Sequence, residues 1–279
     1  MGEGSKIAWT DSTFNPVKGC EKVSEGCKFC YAERDTKRYG LKLWGATARR
    51  ERTSAKYWKD PHKWNKRAQQ AGKPELVFCA SWADVGEDHP DWIEPRRDLA
   101  RLIEATPWLV WLLLTKRPEN MVRLFGEAGW TGPWPTNVWA GTTVENKKAT
   151  ERIEHLFGIP AALRWLSCEP LLEELDLTPW IVPPYPQHEG EAEAWEARYG
   201  NAPCGLDWVI VGGESGPGAR PCDLGWARSI RDQCAVGKVP FFAKQMGTVW
   251  AGENKSKTNK GEDPAEWPDD LRVQEVPRV

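Results

Sequence analysis

The sequence predicts an α/β fold, a full or partial TIM-type (β/α) barrel of about seven parallel strands with an insertion and a polar C-terminal tail. Six short apolar segments each end abruptly in polar or glycine residues, and stretches of helical character separate several of them. These segments are continuously apolar rather than alternating, which is typical of parallel strands buried on both faces. A further short strand near residues 14–17 brings the count close to that of a barrel.

The predicted elements follow one another along the chain. Strands are predicted at residues 76–80, 109–114, 137–141, 163–166, 206–211 and 239–243, and helices at 91–105, 118–126, 147–157 and 224–236. We expect one barrel domain over residues 1–250, with a cysteine loop at 20–30 and a Pro- and Glu-rich insertion at 179–205. Residues 251–279 are polar with few apolar anchors, so they predict a loosely held tail. The alternative architecture is a doubly wound open sheet.

Composition excludes several classes of protein. The 279 residues are 40% hydrophobic and 28% charged, which is ordinary for a globular protein and excludes global disorder. A formal net charge of -2 gives no overall field towards nucleic acid or anionic lipid, although a local basic patch stays open. The longest apolar run, residues 108–114, is too short to span a bilayer. Residues 1–10 have no apolar core of the signal-peptide kind, so we predict a cytoplasmic protein without a membrane partner.

Eight cysteines are present, and three of them, Cys20, Cys27 and Cys30, lie within eleven residues of one loop. In a reducing cytosol they need not form disulfides. Three thiolates that converge repel one another unless a metal or cluster neutralises them. A closed zinc site requires four ligands, and no fourth cysteine or histidine lies nearby in sequence. A [4Fe–4S] cluster held by three cysteines leaves one iron open to a small chelating molecule, and we favour this hypothesis over zinc.

Side chains with functional groups concentrate just after the predicted strands, where α/β folds bind ligands. Lys116, Glu169 and Lys244 are the predicted catalytic residues, because cations and a carboxylate at strand ends could grip a substrate. Each has a plainer alternative, respectively a solvated turn, a surface ion pair and a contact that closes the rim. Glu145 and Asn146 could bind ribose hydroxyls, or they could cap the next predicted helix.

A series of short sequence motifs extends over about residues 7–247. In order, they are Trp9-Thr10, Asn15-Pro16, the cysteine loop with Tyr31-Ala32-Glu33, Ser81-Trp82-Ala83-Asp84-Val85, Leu114-Thr115-Lys116-Arg117-Pro118, Trp139-Ala140-Gly141-Thr142-Thr143-Val144-Glu145-Asn146, Ser167-Cys168-Glu169-Pro170-Leu171-Leu172, Gly212-Gly213-Glu214-Ser215-Gly216 and Lys244-Gln245-Met246-Gly247. Taken together, they resemble the phage Gp37/Gp68 family, also called DUF5131, which is found in phages and bacteria. The resemblance implies a barrel like that of radical S-adenosylmethionine enzymes, and it implies no particular substrate.

Radical S-adenosylmethionine enzymes carry a loop that ends in Cys-x-aromatic-Cys, which Cys27-Lys28-Phe29-Cys30 resembles. Their first spacing usually has three intervening residues, whereas six separate Cys20 from Cys27 here. A Gly-Gly-Glu segment follows their second strand, whereas here Gly212-Gly213-Glu214 follows about the sixth. Asp84, after the second strand, is therefore the predicted contact for the cofactor's amine. The full set of predicted cofactor-binding residues is Phe29, Tyr31, Ser81, Asp84, Thr143, Glu145, Asn146 and Glu214.

The leading hypothesis is an enzyme in which a reduced [4Fe–4S] cluster cleaves S-adenosylmethionine and the resulting radical attacks a small-molecule or nucleotide substrate. Such an enzyme needs an external electron donor. Nucleic acid is a further partner that this hypothesis allows, and the 18 tryptophans permit stacking on bases. The alternative is a zinc-stabilised module that binds nucleic acid or protein without catalysis.

Overall fold

The computed structural model describes residues 4–181 and 205–278. Its strands are β1 (Ser12–Thr13), β2 (Val17–Lys18), β3 (Glu51–Arg52), β4 (Glu75–Cys79), β5 (Leu109–Thr115), β6 (Val138–Thr143), β7 (Leu163–Cys168), β8 (Trp208–Gly212) and β9 (Phe241–Gln245). Seven of them form one curled parallel sheet in the order β1, β4, β5, β6, β7, β8, β9, while β2 and β3 form a separate antiparallel pair. The sheet is a half-barrel with helices between its strands, so the prediction of a partial barrel is confirmed.

Eight α-helices lie in the described ranges. They are α1 (Tyr31–Arg38), α2 (Asp60–Ala71), α3 (Ile93–Glu104), α4 (Met121–Glu127), α5 (Glu151–Phe157), α6 (Thr178–Ile181), α7 (Leu224–Gly237) and α8 (Thr248–Glu253). The four predicted helices are confirmed as α3, α4, α5 and α7. In α4 and α5 a 3₁₀ turn, Pro118–Asn120 or Lys147–Thr150, replaces the predicted first residues. Polar and charged residues outnumber apolar ones in α1 and α2, which were not predicted because each has few apolar residues.

The first strand lies slightly earlier than the predicted residues 14–17. Strand β1 pairs with β4. The last hydrogen bond of this ladder is the one that the Phe14 N–H donates to Phe78 O at 2.9 Å. Beyond it, the side-chain oxygen of Asn15 accepts a hydrogen bond from the Trp82 N–H at 2.7 Å. Pro16 has no N–H to donate. The chain leaves the main sheet at this point, and the cysteine loop follows β2, a strand of the separate antiparallel pair.

The half-barrel is open between its edge strands, because no hydrogen-bonded ladder joins β1 to β9 among the described residues. The C-terminal segment covers the edge of β9: the Ala243 N–H donates to Val273 O at 2.8 Å, and the Glu275 N–H donates to Phe241 O at 3.0 Å. Trp267 is only 1% exposed. The tail that was expected to be loosely held is thus packed onto the domain, where it protects an edge strand from pairing with other chains.

Most of the insertion predicted at 179–205 lies outside the described residues. The part that the structure describes is the end of α6, together with Gly205. None of the helices in the described ranges is long and apolar enough to cross a membrane.

Apolar side chains form two layers, one on each face of the sheet. The outer layer packs between the strands and the surrounding helices. The inner layer fills the hollow of the half-barrel with aromatic rings, and the Trp9 ring contacts those of Phe78 at 4.7 Å and Trp165 at 5.4 Å. The rings of this aromatic floor are those of Trp9, Phe78, Trp139, Trp165, Trp208 and Phe242.

Gly141 on β6 makes room for the aromatic floor. A Cβ atom at this position would overlap the Trp165 ring, whereas one at Gly126 in α4 would meet nothing within 4 Å. We expect Gly141→Ala to lower the free energy of unfolding by about 1–3 kcal/mol through overpacking. Gly126→Ala is the matched control and should raise it by up to about 1 kcal/mol. Chemical denaturation measures both; a neutral Gly141→Ala would contradict this packing.

Candidate functional site

Five strands end in side chains that project into the hollow of the half-barrel. Side chains alternate between the faces of a strand, so every second residue after an inner-layer residue points inward. The end residues of these rows line one cavity of about 190 Å³ at the carboxyl ends of the strands, here called the inner cavity. Each row consists of alternate residues along one strand and its end. The five rows run from Leu112 to Lys116, from Trp139 to Thr143, from Trp165 to Glu169, from Ile210 to Glu214 and from Phe242 to Lys244. Strand periodicity therefore brings five predicted site residues together.

The cysteine loop places its three cysteines on the wall of the same cavity. Cys20, Cys27 and Cys30 all line it, and each is a free thiol. The sulfur of Cys20 faces the guanidinium of Arg117, with 3.9 Å between Sγ and Nη1. In the part of the chain that the structure describes, no group of three or more His, Cys, Asp or Glu side chains is arranged to hold a metal ion. The three sulfurs thus share a cavity wall without yet forming a ligand sphere.

Two of these thiols are protonated at neutral pH in this arrangement. Burial raises the pKa of the Cys20 thiol, and the carboxylates of Asp84 and Glu87 add to this more than Arg117 lowers it. Burial is also the main cause of the raised pKa of the Cys30 thiol. A metal that binds these sulfurs must therefore displace protons.

Lys116 supplies positive charge beside the thiols. Burial acts to lower the pKa of its ammonium group, but Cys27, Glu145 and other nearby acidic groups outweigh burial and raise the pKa overall. Its Nζ donates to Thr143 Oγ1 at 3.2 Å. The side chain is a cation at neutral pH, and a cation in this place favours thiolate sulfur.

A buried network of ion pairs fixes the start of the cysteine loop. The guanidinium of Arg50 donates to both carboxylate oxygens of Glu87 at 2.8 Å, and the two side chains are 1% and 4% exposed. Arg117 lies 2.8 Å from Asp84 and 3.6 Å from Glu87. Glu87 also accepts a hydrogen bond from the Glu21 N–H at 3.0 Å. The sequence analysis missed Arg50 and Glu87, since no local pattern marks residues that meet from 37 positions apart.

Asp84 lines the inner cavity, but both of its carboxylate oxygens already accept hydrogen bonds within the protein. Oδ1 accepts from the Thr115 hydroxyl and from the Gly86 N–H. Oδ2 accepts from Arg117 Nη1 at 2.8 Å and from the Lys116 N–H at 3.1 Å. Asp84 therefore organises the ends of β4 and β5, and contact with a cofactor's amine would require it to give up one of these bonds.

Two predicted cofactor residues, Glu145 and Asn146, do not line the inner cavity. Glu145 is fully buried, and it accepts hydrogen bonds from Arg152 Nη1 at 2.8 Å and from the Gly26 N–H at 3.4 Å. It therefore supports the cysteine loop. Asn146 caps the 3₁₀ turn after it by accepting from the Ala149 N–H at 3.0 Å, which confirms the capping alternative.

Glu214 lines the inner cavity, and Arg220 engages its carboxylate. Oε2 accepts from the Arg220 N–H at 2.8 Å, and Oε1 accepts from its Nη2 at 2.6 Å. The same guanidinium donates to Glu25 O at 2.9 Å and lies 5.5 Å from the centre of the Phe29 ring. Arg220, which the sequence analysis did not single out, thereby joins the end of β8 to the cysteine loop.

Glu169 and Lys244 form an ion pair in the wall of the inner cavity. Lys244 Nζ donates to both carboxylate oxygens, at 2.6 and 2.7 Å. Both residues, together with Tyr31 and Ser81, also line a second cavity of about 1330 Å³, here called the outer cavity. The Tyr31 hydroxyl donates to Ser81 O at 3.0 Å. The Glu169–Lys244 pair therefore lies at the boundary between the inner and the outer cavity.

The chemical types of the residues in the inner cavity suit a metal or cluster bound through sulfur. Three free thiols with a cation beside them are suitable donors for an iron–sulfur cluster or for zinc. No described histidine lines the inner or the outer cavity. Histidine is a common fourth ligand where three cysteines hold a closed zinc site, so the donor set fits a three-cysteine cluster better.

Comparison with known proteins places the chain in a family. The family model described as "Protein of unknown function (DUF5131)" matches residues 4–272. Comparisons with curated proteins and with solved structures gave no match. Because the family match covers nearly the whole chain, the protein belongs to the DUF5131 family.

Proposed function

We propose that the protein is an iron–sulfur enzyme that uses S-adenosylmethionine for radical chemistry. The observation that carries the proposal is the common wall on which the three clustered thiols meet Lys116 and the Glu169–Lys244 pair, at the ligand end of the half-barrel. Three thiol ligands leave one iron of a four-iron cluster without a protein ligand. That open coordination position suits a small molecule carrying an amine and a carboxylate.

The residues of the chain divide the work of binding, orienting and shielding. Cys20, Cys27 and Cys30 would hold the cluster, which when bound supplies the electron for reductive cleavage of S-adenosylmethionine. Lys116 offsets the negative charge of the thiolates. The aromatic floor closes the hollow beneath and excludes water from it. An external electron donor completes the requirements.

The Glu169–Lys244 pair is placed to orient ligands on both of its sides. Lys244 can donate to a carboxylate, and Glu169 can accept from an ammonium or hydroxyl group. The outer cavity, at about 1330 Å³, exceeds the roughly 300–1,000 Å³ of ordinary small-molecule sites. We therefore assign the cofactor to the boundary between the cavities and a substrate of nucleotide size or larger to the outer cavity.

Anaerobic reconstitution with iron and sulfide tests the proposal. We expect a brown protein whose visible absorbance bleaches with dithionite, changes on addition of S-adenosylmethionine, and yields 5′-deoxyadenosine once reduced. A colourless protein with stoichiometric zinc would favour a zinc-stabilised binding module instead. A cluster that neither responds to S-adenosylmethionine nor cleaves it would identify an iron–sulfur protein of another kind.

Lys244→Met separates cofactor handling from cluster assembly. Removing a charge-assisted hydrogen bond costs about 1.5–3 kcal/mol, so 5′-deoxyadenosine formation should fall about ten- to a hundredfold. Iron content should stay unchanged, because Lys244 contacts Glu169 rather than the cysteine loop. Lys257→Met, the same change at an exposed position that lines neither cavity, is the control. Equal rates for the two variants would remove Lys244 from the proposed site.

A further inference from the structure

Positive charge is concentrated in residues 34–73. This segment contains 13 Lys and Arg against three Asp and Glu, although the net charge of the whole chain is -2. The remaining sequence is therefore strongly acidic. Separation of charge on this scale creates a local basic surface that the overall balance hides.

Part of this charge forms a ridge along α2, here called the lysine ridge. Its members are Lys56, Lys59, Lys63 and Lys66, and all four are exposed. The 3₁₀ turn Tyr57–Lys59 continues directly into α2 with helical dihedral angles. At about 3.6 residues per turn, the four lysines therefore fall on one side of the helix and extend about 15 Å along it. The opposite side packs into the core through Pro61, Trp64 and Ala68.

Neighbouring acidic side chains leave most of the ridge uncompensated. Asp60 pairs with Lys63 at 2.7 Å. Glu75 and Asp98 are taken by arginines, at 2.5 Å from Arg67 and 2.6 Å from Arg52. The other three ammonium groups, those of Lys56, Lys59 and Lys66, have no ion pair in the structure as described. A row of three unpaired cations is complementary to a polymer with repeated anionic groups.

The composition of the ridge favours nucleic acid over a membrane. None of the exposed large apolar side chains lies between residues 49 and 73, so the ridge lacks the apolar groups that enter a bilayer. The nearby aromatic rings are also committed to packing: those of Tyr57 and Trp58 lie 5.0 and 5.2 Å from that of Phe14. The ridge lysines themselves offer charged contacts to phosphates rather than a surface for base stacking.

We propose that the lysine ridge binds nucleic acid through its backbone phosphates, without reading base sequence. Contacts of this kind supply non-specific affinity and position a nucleic acid on a protein surface. The ridge residues line neither the inner nor the outer cavity. Binding at the ridge therefore does not depend on the cluster, and the two properties can fail separately.

Fluorescence anisotropy with labelled DNA and RNA of mixed sequence, single- and double-stranded, tests the ridge in the full-length protein. We expect log K to fall linearly with log salt between about 50 and about 200 mM, because each phosphate contact releases counterions. In K59E/K66E, loss of two phosphate contacts should reduce the slope of log K against log salt by about 1.4 for single strands and about 1.8 for duplexes. Affinity at the lower salt concentration should fall at least about tenfold.

The matched control is K147E/K148E, which makes the same change in net charge at two exposed lysines outside the basic segment. Its affinity should stay close to that of the parent protein. Equal losses in both double variants would show a general charge effect and overturn the proposal. So would an absence of binding at low salt, or tighter binding to phosphatidylserine-containing vesicles than to every oligonucleotide. Visible absorbance of reconstituted K59E/K66E reports the cluster independently.

Discussion

Replacing Cys27 with alanine should abolish cluster assembly. Cys27 lies on the wall of the inner cavity together with Cys30 and Lys116. With only two of the three clustered sulfurs left, the loop cannot hold a four-iron cluster. We expect iron in the anaerobically reconstituted protein to fall from about four atoms per chain to background, with loss of the brown colour. Iron and sulfide assays with visible absorbance measure the change.

Cys79→Ala and Cys234→Ala are the controls for this prediction. Both thiols are buried, at 0% and 1% exposed, and neither lines the inner cavity. Their replacement removes a small apolar group from the core, so it should cost stability without changing iron content. If all three variants lost the cluster equally, the assignment of ligands to the cysteine loop would be refuted.

Replacing Arg50 with methionine should produce the largest loss of stability among single changes near the site. Arg50 and Glu87 are buried and joined by two hydrogen bonds of 2.8 Å. With methionine in place of Arg50, the buried Glu87 carboxylate would keep, among the described residues, only Arg117 and the Glu21 N–H as partners. Breaking a buried ion pair in this way costs about 3–5 kcal/mol. Urea denaturation of the unreconstituted protein measures the loss without interference from a cluster.

The adjacent residue provides a matched control. Arg49 pairs with Glu51 at 3.3 Å, and its side chain is 72% exposed. Exposed pairs contribute about 0–1 kcal/mol, so Arg49→Met should be nearly neutral. A double variant, Arg50→Met with Glu87→Gln, should recover part of the lost stability because no unpaired carboxylate remains. If Arg50→Met and Arg49→Met were equally mild, the buried network would not be what fixes the loop.

These two predictions address different levels of the same site. The cysteines are the candidate ligands, whereas Arg50, Glu87 and Arg117 hold the backbone and the sulfur of the first ligand in place. Cluster yield in Arg50→Met should consequently fall further than its residual folded fraction explains. A yield that only follows the folded fraction would limit the network to a role in stability.

The fold was largely predictable, because its signals are local. Continuous apolar strands and the helices between them could be read from the order of residues, and the polar ends of those strands marked the end of the sheet where the inner cavity lies. The positions of Lys116, Thr143 and Glu169 on one cavity follow from the two-residue period of a strand. The packed tail could not be predicted, since anchors such as Trp267 are few and meet partners far away in sequence.

The sequence by itself determined a parallel α/β fold predicted as a full or partial barrel, a cluster of three cysteines in one loop, and polar residues at the strand ends. Local periodicity and spacing are sufficient for these, because neighbours in the chain fix them. Only the tertiary structure decided that Asp84 is engaged by Arg117, that Glu145 supports the cysteine loop, and that Arg50 meets Glu87. The physical reason is that burial forces charged groups to find partners wherever the fold brings them, and sequence separation does not limit that choice.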